Sequence, residues 1–196
     1  MGRIIGIGGK LAAGKDTVAD YLVSQGWVKF GMSDPLHESM LQLNPIVASD
    51  VQIVYEDHFG YKEHAAIQTD YRDATEHYGY TAAKEEFPEY RRLLQAFGTE
   101  VGRSLFGESV WVDIMKRRVS AAAEGGHDVV VTGIRFPNEV DAIKELRGEL
   151  WWVTRNGHST TDGHASETSV SADDFDIVIL NNGDFDDLYD EVDNYR

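Results

Sequence analysis

The sequence predicts an α/β fold, an open parallel sheet of about five strands flanked by helices. Three observations carry this. Short apolar runs recur at 3–8, 27–30, 128–133, 149–155 and 174–182. Segments with helical spacing of apolar residues, at 15–25 and 137–147, fall between them. A glycine-rich turn joins the first run directly to the first helix. Strands that alternate with helices pair in parallel through right-handed crossovers.

Each element has its own warrant. RIIGIG (3–8) does not alternate strictly, as expected of a strand covered on both faces. Residues 15–25 form a helix with Val18, Tyr21 and Leu22 inward. WVKF (27–30) is a short second strand. In 33–43, Ser33 or Asp34 caps a helix and Pro35 occupies its first turn. Residues 44–80 are polar and rich in Tyr and His, and are expected to form one or two helices with loops. A longer helix is expected from Pro88 to Leu105. DVVVTG (128–133) is a buried strand, and Pro137 opens a helix over 137–147. ELWWVTR (149–155) and DFDIVILNN (174–182) supply the fourth and fifth strands. The polar NGHSTTDGHASETS between them has the composition of a surface loop. The acidic tail reads as a helix, with Phe185, Leu188 and Val192 at roughly helical spacing.

Composition limits the function classes. A chain of 196 residues suits one well-cored domain, 1–196, and its 42% apolar content is that of a globular protein. No uncharged apolar run is long enough to span a bilayer, and MGRIIGIGG lacks a signal-peptide core. Gly6 argues against N-myristoylation. Cysteine is absent, which excludes disulfides and thiolate chemistry and fits the cytoplasm. A formal net charge of −16 repels nucleic acid. An anionic small ligand is compatible with that charge only if basic groups are gathered at its site.

Gly9-Lys10-Leu11-Ala12-Ala13-Gly14-Lys15 satisfies G-x-x-x-x-G-K, between an apolar strand and an amphipathic helix as the motif requires. Glycines let backbone N–H groups curl around a phosphate, and the helix N-terminus adds partial positive charge. Lys15 then reaches the β- and γ-phosphates. Asp16 stands where such loops usually carry Ser or Thr, and Thr17 follows. A carboxylate ~5 Å from a phosphate costs about 3 kcal/mol at an effective dielectric of ~20. Mg²⁺ between the two removes that cost. Asp16 therefore either helps hold the metal, with Thr17 on an α-phosphate, or is a first-turn acid stabilised by the helix dipole.

In the 88–105 helix, Tyr90, Leu93, Leu94, Phe97, Val101 and Leu105 share an apolar side. Arg92, Gln95, Thr99 and Arg103 fall opposite, a stripe not diluted by acids. Gly98 and Gly102 on its flank permit close approach of a neighbour. The stripe is either a wet face or a binding face for a phosphate and a base. Arg135 leaves the end of the third strand, where open parallel sheets bind ligands. Its fork either grips a phosphate or pairs with Glu139.

GKDT, LLQAFGTEVGR, RFPNE and HASE, in this order, resemble the bacteriophage deoxynucleoside monophosphate kinases. The similarity spans nearly the whole chain and is weakest over 44–87. It implies a P-loop kinase-like fold with a helical substrate-binding region near 44–110 and a lid-like loop at 155–170. The implied activity is transfer of phosphate from ATP to a dNMP with Mg²⁺. Residues 9–17 then hold ATP, with Asp16 on the metal. Lys15, Arg135 and Arg155 carry transition-state charge. Arg92, Gln95, Thr99 and Arg103, with Asp34 and Trp111, surround the acceptor, and Arg135, Asn138 and Glu139 lie near the phosphates or the acceptor. Such kinases often carry an acid at the end of the third strand, where this chain has Gly133, so Asp16 or Glu139 becomes its substitute.

The expected partners are small-molecule nucleotides in the cytoplasm, the host's if the chain is phage-encoded, with neither nucleic acid nor membrane, and a homodimer is left open. Asp162, His164 and Glu167 lack the scaffold and fourth ligand of a zinc site. Two rivals stand: a P-loop kinase of the dephospho-CoA or phosphomevalonate type, and a nucleotide-binding module without catalysis.

Overall fold

The structure, a computed structural model, describes residues 1–56, 58–59, 62–156 and 169–196. The elements begin with β1 (Ile4–Gly9), α1 (Lys15–Ser24), β2 (Val28–Gly31), α2 (Asp34–Leu43), β3 (Ile46–Glu56) and β4 (Lys62–Asp70). Next come α3 (Tyr71–Glu86), α4 (Pro88–Gln95), a π-helical stretch (Ala96–Phe106) and α5 (Val110–Glu124). The chain closes with β5 (Val129–Ile134), α6 (Pro137–Glu145), β6 (Glu149–Thr154), a 3-10 turn (Ala172–Asp174), β7 (Ile177–Leu180) and α7 (Phe185–Asp193). No helix among the described residues is long and apolar enough to cross a membrane. The chain divides into two compact units, residues 1–34 with 109–196 and residues 35–108.

The first unit is the parallel sheet, in the order β2-β5-β1-β6-β7. Its core explains why the strand runs do not alternate. Ile4, Val129, Val131, Leu150 and Trp152 pack on one face with Met115, Val119, Val140 and Ile143 of α5 and α6. Ile5, Ile7, Val130, Trp151 and Val153 pack on the other with Val18, Leu22, Leu188 and Val192 of α1 and α7. Both faces are covered, so both residue parities must be apolar. Tyr21, expected inward, is only partly covered and stacks on Tyr189 at 4.2 Å. Ala19 takes the buried place. Helix α5 was not expected, yet its buried Val112, Met115, Val119 and Ala123 recur at helical spacing.

The pairing of β1 with β5 slips at one point. Ile7 faces Thr132 and Gly8 faces Ile134, so Gly133 bulges out of the ladder, with φ +83°. Such a bulge re-aims the residues that follow it, here Arg135.

The second unit corrects the expectation for 44–80. Its first part is an antiparallel ribbon, β3 on β4, with Ile46 opposite Asp70 and Val51 opposite Ala66. Its second part is α3, broken at Gly79 (φ 78°, ψ 158°). A two-stranded ribbon has no fully buried face, and Ile46 and Ile67 remain exposed. The alternation that betrays a half-buried strand is therefore weak. The helix from Pro88 is α-helical only to Gln95 and then widens to i→i+5 winding. That change of period places Gly98 and Gly102 inward and leaves Leu105 73% exposed, against the expected apolar side. Close approach at Gly98 holds: a Cβ there would lie 3.0 Å from Leu36 Cδ2. The unit's core is Met40, Val47, Tyr71, Ala74, Ala83, Tyr90 and Leu94. Tyr71 and Tyr90 stack at 3.9 Å, and the Tyr71 hydroxyl meets His37 Nδ1 at 2.8 Å. Burial pushes the Tyr71 phenol far above its ordinary value.

Candidate active site

The turn after β1 is shaped by left-handed backbone at three positions, Gly9 (φ 139°), Ala12 (φ 58°) and Gly14 (φ 99°). Ala13 N–H donates to the Lys10 carbonyl at 3.3 Å, and Val18 N–H to that of Gly14 at 3.1 Å, which opens α1. Lys15 Nζ reaches back across the turn and donates to the carbonyls of Gly9 (2.8 Å) and Lys10 (2.6 Å). The Gly14 N–H has no acceptor among the described residues. Curled N–H groups, a helix start and an ammonium above them form an anion cradle.

The cradle opens into a cleft of about 580 Å³, lined by residues that follow the carboxyl ends of β1, β5, β6 and β7. Leu11, Ala12, Gly14, Lys15, Asp16 and Thr17 come from the turn, and Arg135 and Arg155 from β5 and β6. Asn181, Gly183, Asp184 and Phe185 come from beyond β7. Gly9, Lys10, Leu11, Lys15 and Arg135 border a smaller adjoining depression, while Ala13 is buried. This lies at the ends of the strands around β1, where the strand order reverses and doubly wound sheets take ligands.

The cleft gathers Lys15, Arg135 and Arg155 in a chain of net charge −16. Neither guanidinium has an ion-pair partner among the described residues. Glu139 does not pair with the Arg135 side chain. Its buried Oε2 accepts the main-chain N–H groups of Arg135 (2.7 Å) and Phe136 (3.1 Å), and it caps α6. Glu139 thereby sets the turn and leaves the guanidinium to the cleft. Arg155 is placed by ties between the ends of β6 and β7. Asn181 N–H donates to the Thr154 carbonyl at 2.8 Å, and Asn156 N–H to Asn182 Oδ1 at 2.7 Å.

Asp16 lines the cleft with its side chain 81% exposed, 3.5 Å from Lys29 Nζ. Lys29 also pairs with Asp20 at 2.8 Å. Burial works against the Lys29 charge, but the Asp20 and Asp16 carboxylates outweigh it and hold its pKa above the ordinary lysine value. No group of three His, Cys, Asp or Glu suited to a metal ion occurs among the described residues. Mg²⁺ bound beside a polyphosphate needs only one or two protein carboxylates, and the one exposed acid at Asp16 fits that donor set.

The remaining candidates fall elsewhere. Asp34 Oδ2 accepts the Gly31 N–H at 2.6 Å and finishes β2. Trp111 and Asn138 are half-buried in the first turns of α5 and α6 and do not line the cleft. Arg92, Gln95, Thr99 and Arg103 belong to the second unit. There the stripe is diluted by an acid: Glu89 takes Arg92 Nε and Nη2, both at 2.7 Å. The Arg92 guanidinium lowers the Glu89 pKa, and Glu89 raises that of Arg92. Asp162, His164, Ser166 and Glu167, with most of the lid-like loop, lie outside the described residues.

Sequence reasoning missed Asn181. Its Nδ2 donates to the Ala13 carbonyl at 2.9 Å, across 168 residues of sequence. The available signal was an asparagine pair at the carboxyl end of the last parallel strand.

The model of the family Deoxynucleotide monophosphate kinase matches residues 46–192. A putative deoxynucleotide monophosphate kinase of Acanthamoeba polyphaga mimivirus is 29% identical, over 96% of this chain and 93% of its own. The deoxynucleotide monophosphate kinase of Escherichia phage RB69 is 24% identical, over 97% and 98%. Among solved structures, dephospho-CoA kinase from Campylobacter jejuni covers 99% of this chain and 95% of its own at TM-score 0.49 and 13% identity. With a family model matched over three-quarters of its length, and a phosphate cradle facing two arginines at the ends of a parallel sheet, this chain belongs to the deoxynucleotide monophosphate kinase family.

Proposed function

We propose that the cleft transfers the γ-phosphoryl group of ATP to the 5′-phosphate of a deoxynucleoside monophosphate, giving ADP and a dNDP. One observation supports this above the others. Lys15, Arg135 and Arg155, which follow the ends of three different strands, line one cleft. Phosphoryl transfer asks for that: an in-line pose, and positive charge on the moving group.

The roles divide by chemistry. Residues 9–15 grip the donor polyphosphate through N–H groups, and Lys15 follows the β- and γ-oxygens. Arg135 and Arg155 stabilise charge on the transferring group as planar forks. Asp16 would hold Mg²⁺ beside the phosphates, and the ion would supply positive charge there. Thr17 bonds an α-phosphate oxygen. The acceptor is an ionised phosphate monoester, so no strong general base is needed. We assign the acceptor to Arg92, Gln95, Thr99 and Arg103 of the second unit, where Arg92 must exchange Glu89 for phosphate. We place the reaction in the cytoplasm, the host's if the chain is phage-encoded, and a homodimer is compatible with it.

The test is a panel of dNMPs, the matching rNMPs, dephospho-CoA and phosphomevalonate, each incubated with Mg²⁺ and ATP and assayed for ADP. ADP release that depends on a dNMP supports the reading. Release with either non-nucleotide acceptor alone, or ATP binding with no acceptor-dependent release, overturns it.

A further inference from the structure

We infer that Asn181 is a positioning residue for the phosphate loop: its side-chain amide fixes the Ala13–Gly14 peptide and so aims the Gly14 N–H at the donor's phosphates. The inference rests on the nucleotide-binding part of the proposed function. Asn181 is 8% exposed, one of only three buried polar or charged residues among those described. Its Nδ2 donates to the Ala13 carbonyl at 2.9 Å, and its own N–H is held by the Thr154 carbonyl at 2.8 Å. The backbone of Asn181 is thus anchored to β6 while its side chain holds the loop that follows β1.

The planar trans peptide supplies the rest. Its C=O and the next N–H point in opposite directions. Once the Ala13 oxygen is turned to Asn181, the Gly14 N–H is turned away from it. That N–H has no acceptor among the described residues, so it remains a donor for a bound anion. Gly14 is the last glycine of the motif, and the contact gives a second reason for it. A Cβ there would lie 2.3 Å from Asn181 Nδ2, besides the strain of φ +99°. The motif glycine and the asparagine fit each other.

A residue that only ties β7 to the loop would cost thermal stability alone. A positioning residue costs ATP affinity. The experiment measures the Kd of MgATP by calorimetry, the KM values for ATP and the preferred dNMP, and Tm. Wild type is compared with Asn181→Ala, Asn181→Asp, Gly14→Ala and the double variant Gly14→Ala/Asn181→Ala. Asn181→Asp keeps the shape and sets an oxygen against the Ala13 oxygen. Loss of the amide should raise Kd and KM for ATP about 10-fold and leave the KM for dNMP within about 2-fold. Gly14→Ala should lose ATP binding by a larger factor, and removal of the Asn181 amide in that background should restore part of it. ATP affinity within about 2-fold of wild type in both Asn181 variants, or strictly additive effects in the double variant, overturns the inference. If one Asn181 variant fails to fold, the other and the Gly14→Ala pair decide. Wild type that binds ATP but phosphorylates no dNMP removes the proposed reaction and leaves Asn181 tested by Kd. Wild type that binds no ATP removes both.

Discussion

The ammonium of Lys15 is tethered to the carbonyls of Gly9 and Lys10, so its charge is held over the turn. Lys15→Ala removes that charge and disturbs no core contact. Loss of one preorganised charge from a phosphoryl-transfer site is worth ~10²–10³ in rate. Lys15→Ala should lose at least that factor in kcat/KM with an unchanged circular dichroism spectrum, and a near-normal rate would refute the assigned role. Gly133 is the opposite case, a residue notable for what it lacks. Its φ of +83° favours glycine, while a Cβ there would meet nothing closer than 3.9 Å. Strain rather than collision therefore sets the cost. Gly133→Ala should lower stability by about 1–2 kcal/mol in urea unfolding. Gly133→Asp should lose less, because Asp tolerates the left-handed region better. A neutral Gly133→Ala would mean that the bulge relaxes. The same conformation gives a physical reason for a glycine where the family resemblance leads one to expect an acid.

At the scale of elements, legibility followed burial. The strands of the parallel sheet were readable because they are covered on both faces, and the loop after β1 because its chemistry dictates its glycines. Arg135 was found from its place after a strand, but the part of Glu139 was not, since a side chain accepting main-chain N–H groups leaves no spacing signal. The ribbon β3–β4 was hidden where Ile46 and Ile67 stand exposed and blur the alternation, and the stretch 96–106 by its change of winding. Gly98 shows what that winding needs. A methyl group there would come 3.0 Å from Leu36 Cδ2, the far end of a flexible side chain. Alanine's advantage over glycine in a helix, about 1 kcal/mol, offsets the small shift Leu36 must make. Gly98→Ala should therefore lie within about 1 kcal/mol of wild type, whereas Gly98→Leu overpacks the site and should cost about 1–3 kcal/mol. Equal effects of the two would show that Leu36 does not pack on this turn. Thermal or urea unfolding decides.

Over the whole molecule two electrostatic effects oppose each other, and magnitudes decide between them. Surface ion pairs such as Arg3–Glu149, Lys116–Glu145 and Arg92–Glu89 favour the native state and weaken in salt. The side chains of the Arg3 and Lys116 pairs are 31–63% exposed, and pairs of that kind contribute about 0–1 kcal/mol each. Against them stands the mutual repulsion of 34 acids over 18 bases. One like-charge pair ~20 Å apart costs only about 0.2 kcal/mol in water, but a net −16 contains many such pairs, all of them spread farther apart on unfolding. The Debye length falls from ~30 Å at 0.01 M salt to ~8 Å at 0.15 M. Those long-range repulsions are therefore screened first, while contacts shorter than 4 Å lose less. Tm at pH 7 should rise by roughly 2–8 °C between 10 and 150 mM NaCl, most steeply at the low end. Differential scanning calorimetry at fixed protein concentration, without ATP or Mg²⁺, measures this free of ligand linkage. A Tm that fell over the same range would show that local ion pairs, not the acidic coat, dominate the stability of this fold.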